Sequence, residues 1–395
     1  MRYKLQIRDR VTIRIESMAF GGAGVGRSNN IVVFVPFGAP QDDLEIEITA
    51  RKKNFARGRI LEIIKPSPLR VKPLCGYYGK CGGCCYQHLR YDEQLRIKKQ
   101  QISDAFRRIG KIAAPPVADV HASPVCYHYR GKAQFHRLTS ADGLRLGLMD
   151  TSGGRIVDIA RCEIMEETIN EKINRLRSNN LKANGAENDV VIWSGLPDAE
   201  IAGNRQIRRV VREQDFLVPA GGFFQANLFL TDALVEEVCR LAAQSRIRTA
   251  IDAYCGCGLF ALFLAPFAER IIGVELNEQA IKFARLNAEK QNIQNSEFIQ
   301  GDVEDAFAGA LSGEKAKIDL IILDPPRTGC SAALLKNIAG LESGRVIYIS
   351  CNPATQARDV RILAESGYSL QHIRPFDMFP QTQHIEVVAL LVRDG

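Results

Sequence analysis

The chain has 395 residues, 46% of them hydrophobic and 25% charged, with a formal net charge of +7. The length points to two or three domains, and the composition excludes intrinsic disorder, collagen and coiled coil. The longest apolar stretch, Leu259–Ala268, is broken by Pro266, and the first residues lack an apolar core, so the expectation is a cytoplasmic protein with neither membrane span nor signal peptide.

The excess charge lies at one end. Residues 1–72 hold 14 basic and 7 acidic side chains, and the remainder balances. A basic module on a neutral body suggests a polyanion-binding appendage on an enzyme. Within residues 1–66, Thr12–Glu16, Ile31–Val35 and Leu44–Ile48 read as short strands. Gly21-Gly-Ala-Gly-Val-Gly-Arg27 is a glycine turn, with no helix after it to make a nucleotide loop. A five-stranded barrel is the natural packing. Arg51-Lys-Lys-Asn-Phe-Ala-Arg-Gly-Arg59 sets five cations around one aromatic ring, a pattern suited to phosphates and a stacked base.

Pro66, Pro68 and Pro73 mark a linker. Cys75-x5-Cys81-x2-Cys84 follows, among Gly76, Gly79, Gly82 and Gly83. The chain has eleven cysteines. Without a signal peptide this cluster predicts a metal centre rather than disulfides. Zinc or an iron–sulfur cluster would each suit three thiolates and a distant fourth, from Cys85, Cys126 or Cys162. Residues 91–110 predict a helix with Leu95, Ile102, Phe106 and Ile109 on one face. Residues 127–218 predict a small α+β or β domain. From about residue 223 strands and helices alternate, as in a doubly wound α/β sheet with ligands at strand C-termini.

Three motifs fall at such strand ends, and a fourth opens the last strand. Asp252-Ala-Tyr-Cys-Gly-Cys-Gly-Leu-Phe-Ala261 is a glycine loop in which Gly256 lets backbone approach a nucleotide-like ligand. Glu275, ending the next strand, suits a ribose, which does not separate a dinucleotide from S-adenosylmethionine. Asp324-Pro-Pro-Arg327 fixes a carboxylate rigidly at the sheet edge. Ser350-Cys351-Asn-Pro353 places a cysteine before a helix, whose positive end predicts a lowered thiol pKa and a nucleophile. Glu386, where His384-Ile-Glu386 opens the last strand, is placed as a partly desolvated general base.

Together with Phe223-Phe-Gln-Ala-Asn227 and the tail Met378-Phe-Pro-x-Thr-x-x-His-x-Glu386, these motifs in this order resemble the RNA (uracil-5-)methyltransferase family. The likeness is to its 23S ribosomal RNA branch with a TRAM domain and a [4Fe–4S] cluster. It implies an OB-like TRAM barrel over residues 1–66, a central α+β domain with the cluster over 67–222, and a class I S-adenosylmethionine-dependent methyltransferase domain over 223–395. The 91–110 helix is then expected to pack on the catalytic domain. Cys75, Cys81, Cys84 and Cys162 resemble the cluster ligands. Gln225, Tyr254, Glu275 and Asp324 resemble contacts to S-adenosylmethionine, with Asp302 near the adenine. Cys351 resembles the nucleophile and Glu386 the proton acceptor. The implied activity is methylation of uracil carbon 5, on 23S rRNA or else a tRNA T-loop uridine, with no stable protein partner. An NAD-dependent oxidoreductase is the competing reading of the glycine loop, and a non-catalytic RNA-binding iron–sulfur protein is the other. Neither uses the Asp324 and Cys351 strand ends.

Overall fold

The structure is a computed structural model that describes residues 5–140, 143–178, 189–195, 200–201, 206–308, 318–341 and 343–394. Alternation of apolar and polar residues builds its first unit. Strands β1 (Arg10–Met18), β2 (Ala23–Ser28), β3 (Ile31–Pro36), β4 (Asp43–Arg51) and β5 (Phe55–Lys65) close into a barrel in the order β1-β2-β3-β5-β4. Ile13, Ile15, Val33, Val35, Leu44, Ile46 and Ile48 fill it, which removes the open sheet edge such a small unit would otherwise expose. Gly22 has a φ of +87°, and a Cβ there would lie 2.6 Å from the Cys85 sulfur. That position needs glycine both for its conformation and for the close seating of barrel against cysteine loop.

Helix α1 (Tyr91–Arg108) then crosses to the far end of the chain. Ile102 and Phe106 share a core with Ala357 and Val360 of the C-terminal domain. Its buried face differs from the apolar stripe that was expected. Gln94, Ile97 and Lys98 are buried, whereas Ile109 is 40% exposed and Leu95 is only half-buried. The reason is that this face meets polar side-chain and backbone groups of the C-terminal tail. Lys98 Nζ donates to Asp377 Oδ1 at 2.5 Å and to the His384 carbonyl at 2.9 Å. Gln94 and Gln381 exchange two hydrogen bonds of 3.0 Å. Both Lys98 and Asp377 are fully buried, so removing one partner strands a charge. Lys98→Met is expected to destabilise the protein by about 3–5 kcal/mol in denaturant titration. The double variant Lys98→Met/Asp377→Leu is expected to recover most of that loss.

The central sheet runs β10-β9-β6-β7-β8, all antiparallel. Its strands are β6 (Lys132–Ser140), β7 (Gly143–Met149), β8 (Ile156–Asp158), β9 (Asp189–Trp193) and β10 (Glu200–Ile201). Helix α2 (Glu167–Ser178) packs Ile169, Ile173 and Leu176 into the same core as Phe135 and Leu146. The hairpin of β11 (Gln206–Val211) and β12 (Gln214–Pro219) turns its apolar side the other way. Phe216 meets Phe224 and Phe263, so by packing this hairpin shares the core of the C-terminal domain.

That domain follows the alternation read from the sequence. Its elements are α3 (Leu228–Ala242), β13 (Ile247–Ala253), α4 (Leu259–Leu264), β14 (Ala268–Glu275), α5 (Glu278–Lys290), β15 (Ser296–Gln300), α6 (Val303–Ala308), β16 (Leu320–Leu323), α7 (Ala332–Gly340), β17 (Arg345–Ser350), α8 (Pro353–Glu365), β18 (Tyr368–Phe376) and β19 (Glu386–Arg393). The sheet order is β15-β14-β13-β16-β17-β19-β18. Its first five strands are parallel, and β19 inserts antiparallel between β17 and β18. Reversal of one strand is what brings a residue from the start of β19 to the C-terminal edge of β17. Among the described residues no helix is long and apolar enough to cross a membrane.

Candidate active site

The register fixes which residues meet. Ala253 pairs with Val274 on one side and Leu323 on the other, so Tyr254, Glu275 and Asp324 leave three adjacent strands at one level. Leu323 pairs with Tyr348, and Ser350 pairs with Val387. Continuing that register by one residue sets Cys351 opposite Glu386. Gln356 on α8 locks this arrangement, donating to the Tyr348 carbonyl at 2.8 Å and the Val387 carbonyl at 3.0 Å.

The glycine loop is built for a ligand. Gly256 has a φ of +53° and nothing lies within 4 Å of where its Cβ would be. Its N–H donates to Glu275 Oε2 at 3.2 Å, and Glu275 Oε1 accepts from Asn277 N at 2.8 Å. Tyr254 holds a φ of +65°, a strained conformation for a tyrosine, and its hydroxyl contacts Cys330. Gln225 is buried just before α3, and Asn227, two residues on, donates to Ser123 Oγ and the Met378 carbonyl. Asp302 stands exposed at the start of α6, accepting from Glu304 N at 2.7 Å.

At the other end of the edge the groups are acidic and crowded. Burial drives the Glu386 carboxyl well above its ordinary pKa, and the Asp324 carboxyl beside it pushes further the same way. Burial also raises Asp324. Cys351 is half-buried. The expected lowering of its thiol pKa does not occur. Burial pushes it up to about 11, with Glu386 and Asp324 adding to the rise. The start of α8 lies just beyond the sulfur, but two carboxyls and loss of water outweigh that partial charge.

Sequence reasoning gave no role to four further residues. Arg327 is the cation that opposes the rise at Cys351. Its Nη2 lies 3.3 Å from His384 Nδ1, and its carbonyl accepts from Asn352 Nδ2 at 3.1 Å and Thr355 Oγ1 at 3.2 Å. His384 is pushed down to about 4, first by burial and then by Arg327, so it stays neutral. Asp252 is buried with its carboxyl raised to about 8 by desolvation; Oδ2 accepts from Ala261 N while Oδ1 has no hydrogen-bond partner. Asp359, fully buried, accepts from Tyr348 OH at 2.6 Å and from Cys330 N at 2.8 Å. It thereby pins the loop after Asp324 to α8. Asp252, opening the glycine-loop run, had a usable signal in its strand-end place. Asp359 had none, because a polar residue inside a helix reads as solvated.

With a thiol pKa near 11, the thiolate fraction grows about tenfold per pH unit through the neutral range. Alkylation of Cys351 by iodoacetamide, followed by peptide mass spectrometry, is expected to accelerate about tenfold for each pH unit between about pH 7 and pH 10. Arg327→Ala is expected to slow it at every pH in that window.

Elsewhere, Cys75, Cys81, Cys84 and Cys162 line one pocket, together with Tyr77, Tyr78 and Gln87. Burial raises the Cys81 and Cys84 thiols, and Cys162 to about 11. Cys85 points instead into a groove beside Gly21 and His384, and Cys126 is absent from the four-cysteine pocket. Among the described residues no group of three or more His, Cys, Asp or Glu converges to hold one metal ion. The four thiols surround a space without meeting at a point.

The sequence model of the tRNA (uracil-5-)-methyltransferase family matches residues 205–394, and that of the TRAM domain matches residues 4–61. An uncharacterized RNA methyltransferase of Halalkalibacterium halodurans is 32% identical, over 97% of each chain. One from Thermotoga maritima is 31% identical, over 96% of this chain and 98% of that one. Among solved structures, the Pyrococcus abyssi tRNA (uracil-54, C5)-methyltransferase in complex with S-adenosyl-L-homocysteine superposes with a TM-score of 0.74 at 27% identity, covering 97% of this chain and all of that one.

Proposed function

Because the chain belongs to the RNA (uracil-5-)methyltransferase family and is an S-adenosylmethionine-dependent RNA methyltransferase, we propose that Cys351 is its nucleophile and Glu386 its proton acceptor. Carbon 5 of an intact uracil is a weak nucleophile. Addition of the Cys351 thiolate to carbon 6 makes carbon 5 enolate-like and splits one hard step into easier ones. Bound S-adenosylmethionine would supply the methyl group as an electrophile, with S-adenosylhomocysteine as the leaving group. Glu386, in its carboxylate form, then takes the proton from carbon 5, and the Cys351 sulfur departs as thiolate while the C–H electron pair rebuilds the ring double bond. The observation that carries this reading is the β17–β19 register that sets sulfur and carboxyl across from each other.

Gln225, Tyr254, Gly256, Glu275 and Asp302 are the proposed contacts to the methyl donor, and Asp324 orients donor or base from the adjoining strand. Asp252 fits the same site, since its orphaned buried oxygen is available to a donor group of the ligand. A uridine in folded RNA must be extruded to reach a strand-end pocket, at a cost of about a few kcal/mol. The basic barrel offsets that cost through phosphate contacts.

The proposed target is a uridine in 23S rRNA, a reading supported by the pairing of a TRAM domain with a four-cysteine pocket. The second reading, a tRNA T-loop uridine, is supported by the full-length likeness to the Pyrococcus abyssi enzyme. Mapping 5-methyluridine in both RNA classes from cells with and without the protein decides between them. The four-cysteine pocket is proposed to hold a [4Fe–4S] cluster, since thiolates spread about a cube need not converge on one ion. Methyl transfer consumes no electrons, so its role is structural. Cys84→Ser is expected to lose most bound iron and sulfide in colorimetric assay and to lower Tm by several degrees. Stoichiometric zinc in the wild-type protein would replace that assignment.

A further inference from the structure

A groove of about 530 Å3 runs between the barrel, α1 and the start of α8. Phe20 and Phe34 line its barrel side, Arg108 and Ile109 its helix side, and Pro353 and Ala354 one end. Phe20 is 48% exposed and Ile109 40% exposed, an unusual pair of open apolar side chains to share one depression. Beneath the groove, Gln101 Nε2 donates to the Ala19 carbonyl at 3.0 Å and to Tyr86 OH at 3.1 Å, tying the Phe20 loop to α1. The loop is therefore anchored immediately beside the exposed ring.

Two continuities define what the groove faces. At one end, Pro353 is two residues from Cys351, a span of at most about 7 Å of chain. At the other, the Phe34 ring packs edge-on against Phe55 with centroids 5.6 Å apart. Phe55 is the aromatic residue of the basic hairpin, where Lys52, Lys53 and Arg57 are exposed. The rim itself is nearly neutral. Arg27 lies 4.0 Å from Glu16 and Arg108 lies 3.7 Å from Asp104. A neutral, ring-lined trough that leads from a cluster of exposed cations to the nucleophile loop suits a strand that carries phosphate outside and flat rings inside.

We propose that this groove is a base-stacking subsite for single-stranded RNA next to the target uridine, with Phe20 as its principal platform. This deepens the reading of the chain as an RNA methyltransferase and rests on it. Bases beside the extruded uridine stack on Phe20 and against Phe34. Their phosphates follow the rim toward the 51–59 hairpin. The groove thus selects unpaired RNA on one side of the target and holds it while the uridine enters the strand-end pocket.

The probe is fluorescein-labelled dodecauridylate, free or annealed to oligoadenylate, titrated into the full-length protein by anisotropy. Phe20→Ala is expected to weaken binding of the single strand tenfold or more. Phe20→Tyr keeps a ring face and is expected to stay within threefold of wild type, whereas Phe20→Leu keeps bulk without a face and stays weak. S-adenosylhomocysteine affinity is expected to be unchanged in all three, which reports an intact fold. Wild-type affinity in Phe20→Ala, full recovery in Phe20→Leu, or equal binding of duplex and single strand would overturn the proposal. Recovery by leucine would mark a protein-docking patch instead. Cys351→Ala keeps the two readings separate: it is expected to bind dodecauridylate normally while transferring no methyl. An active Cys351→Ala sinks the catalytic assignment alone, and an undisturbed Phe20→Ala sinks the groove alone.

Discussion

Cys351→Ala is expected to lower methyl transfer to RNA by about four orders of magnitude or more, because the reaction loses the only step that makes carbon 5 reactive. The substitution is structurally mild. The side chain is half-buried, and α8 keeps its cap because Asn352 Oδ1 still accepts from Ala354 N. The glycine loop, Glu275 and Asp302 are untouched, so S-adenosylhomocysteine should bind with wild-type affinity in calorimetry. Labelled methyl transfer to RNA measures the loss. Turnover within tenfold of wild type would remove covalent catalysis from the scheme. The thiol pKa near 11 sharpens this expectation. The resting enzyme holds Cys351 as a thiol, and Arg327 is the positive group set to favour its ionisation. Arg327→Ala should therefore depress turnover too, with a deficit that shrinks as pH rises.

The sequence displayed the site's ingredients more openly than its balance of charge. Strand-end placement of Tyr254, Glu275, Asp324 and Cys351 follows from short apolar runs that each stop at a polar residue, a local signal. Pairing of Cys351 with Glu386 depends on β19 inserting antiparallel beside β17, which no local pattern announces. Only the family resemblance brought the two together in advance. The sequence alone predicts the wrong sign for the Cys351 shift, because a helix start is visible in it while two carboxyls from other strands are not. The same limit applies to α1. Its apolar spacing selected Leu95 and Ile109, but the helix buries Gln94 and Lys98 against tail residues nearly 290 positions away. The β11–β12 hairpin likewise reads as central-domain strand until Phe216 is seen against Phe263.

Glu386→Gln is expected to stop turnover at a different point, with the RNA still attached. Glutamine preserves shape and accepts no proton at neutral pH. Thiolate addition and methyl transfer precede the proton's removal, so they continue. The C5–H bond then stays intact, no electron pair is released to rebuild the C5–C6 double bond, and the C6–S bond does not break. A protein–RNA adduct should accumulate toward one per enzyme, seen as a retarded band on a denaturing gel, and Cys351→Ala/Glu386→Gln should show none. Stability supplies a control independent of RNA. A carboxyl whose folded pKa lies above its unfolded value weakens the fold as pH rises past that unfolded value. Glu386 is such a group, so Glu386→Gln should raise Tm at about pH 8 and change it little at about pH 4. A variant more stable than wild type at pH 8 yet arrested on its substrate would locate the glutamate's purpose in proton transfer, since packing alone would have disfavoured a charge there. Absence of adduct in that stable, folded variant would mean that Glu386 acts before the methyl arrives, and the base would have to be sought at Asp324, the raised carboxyl beside it.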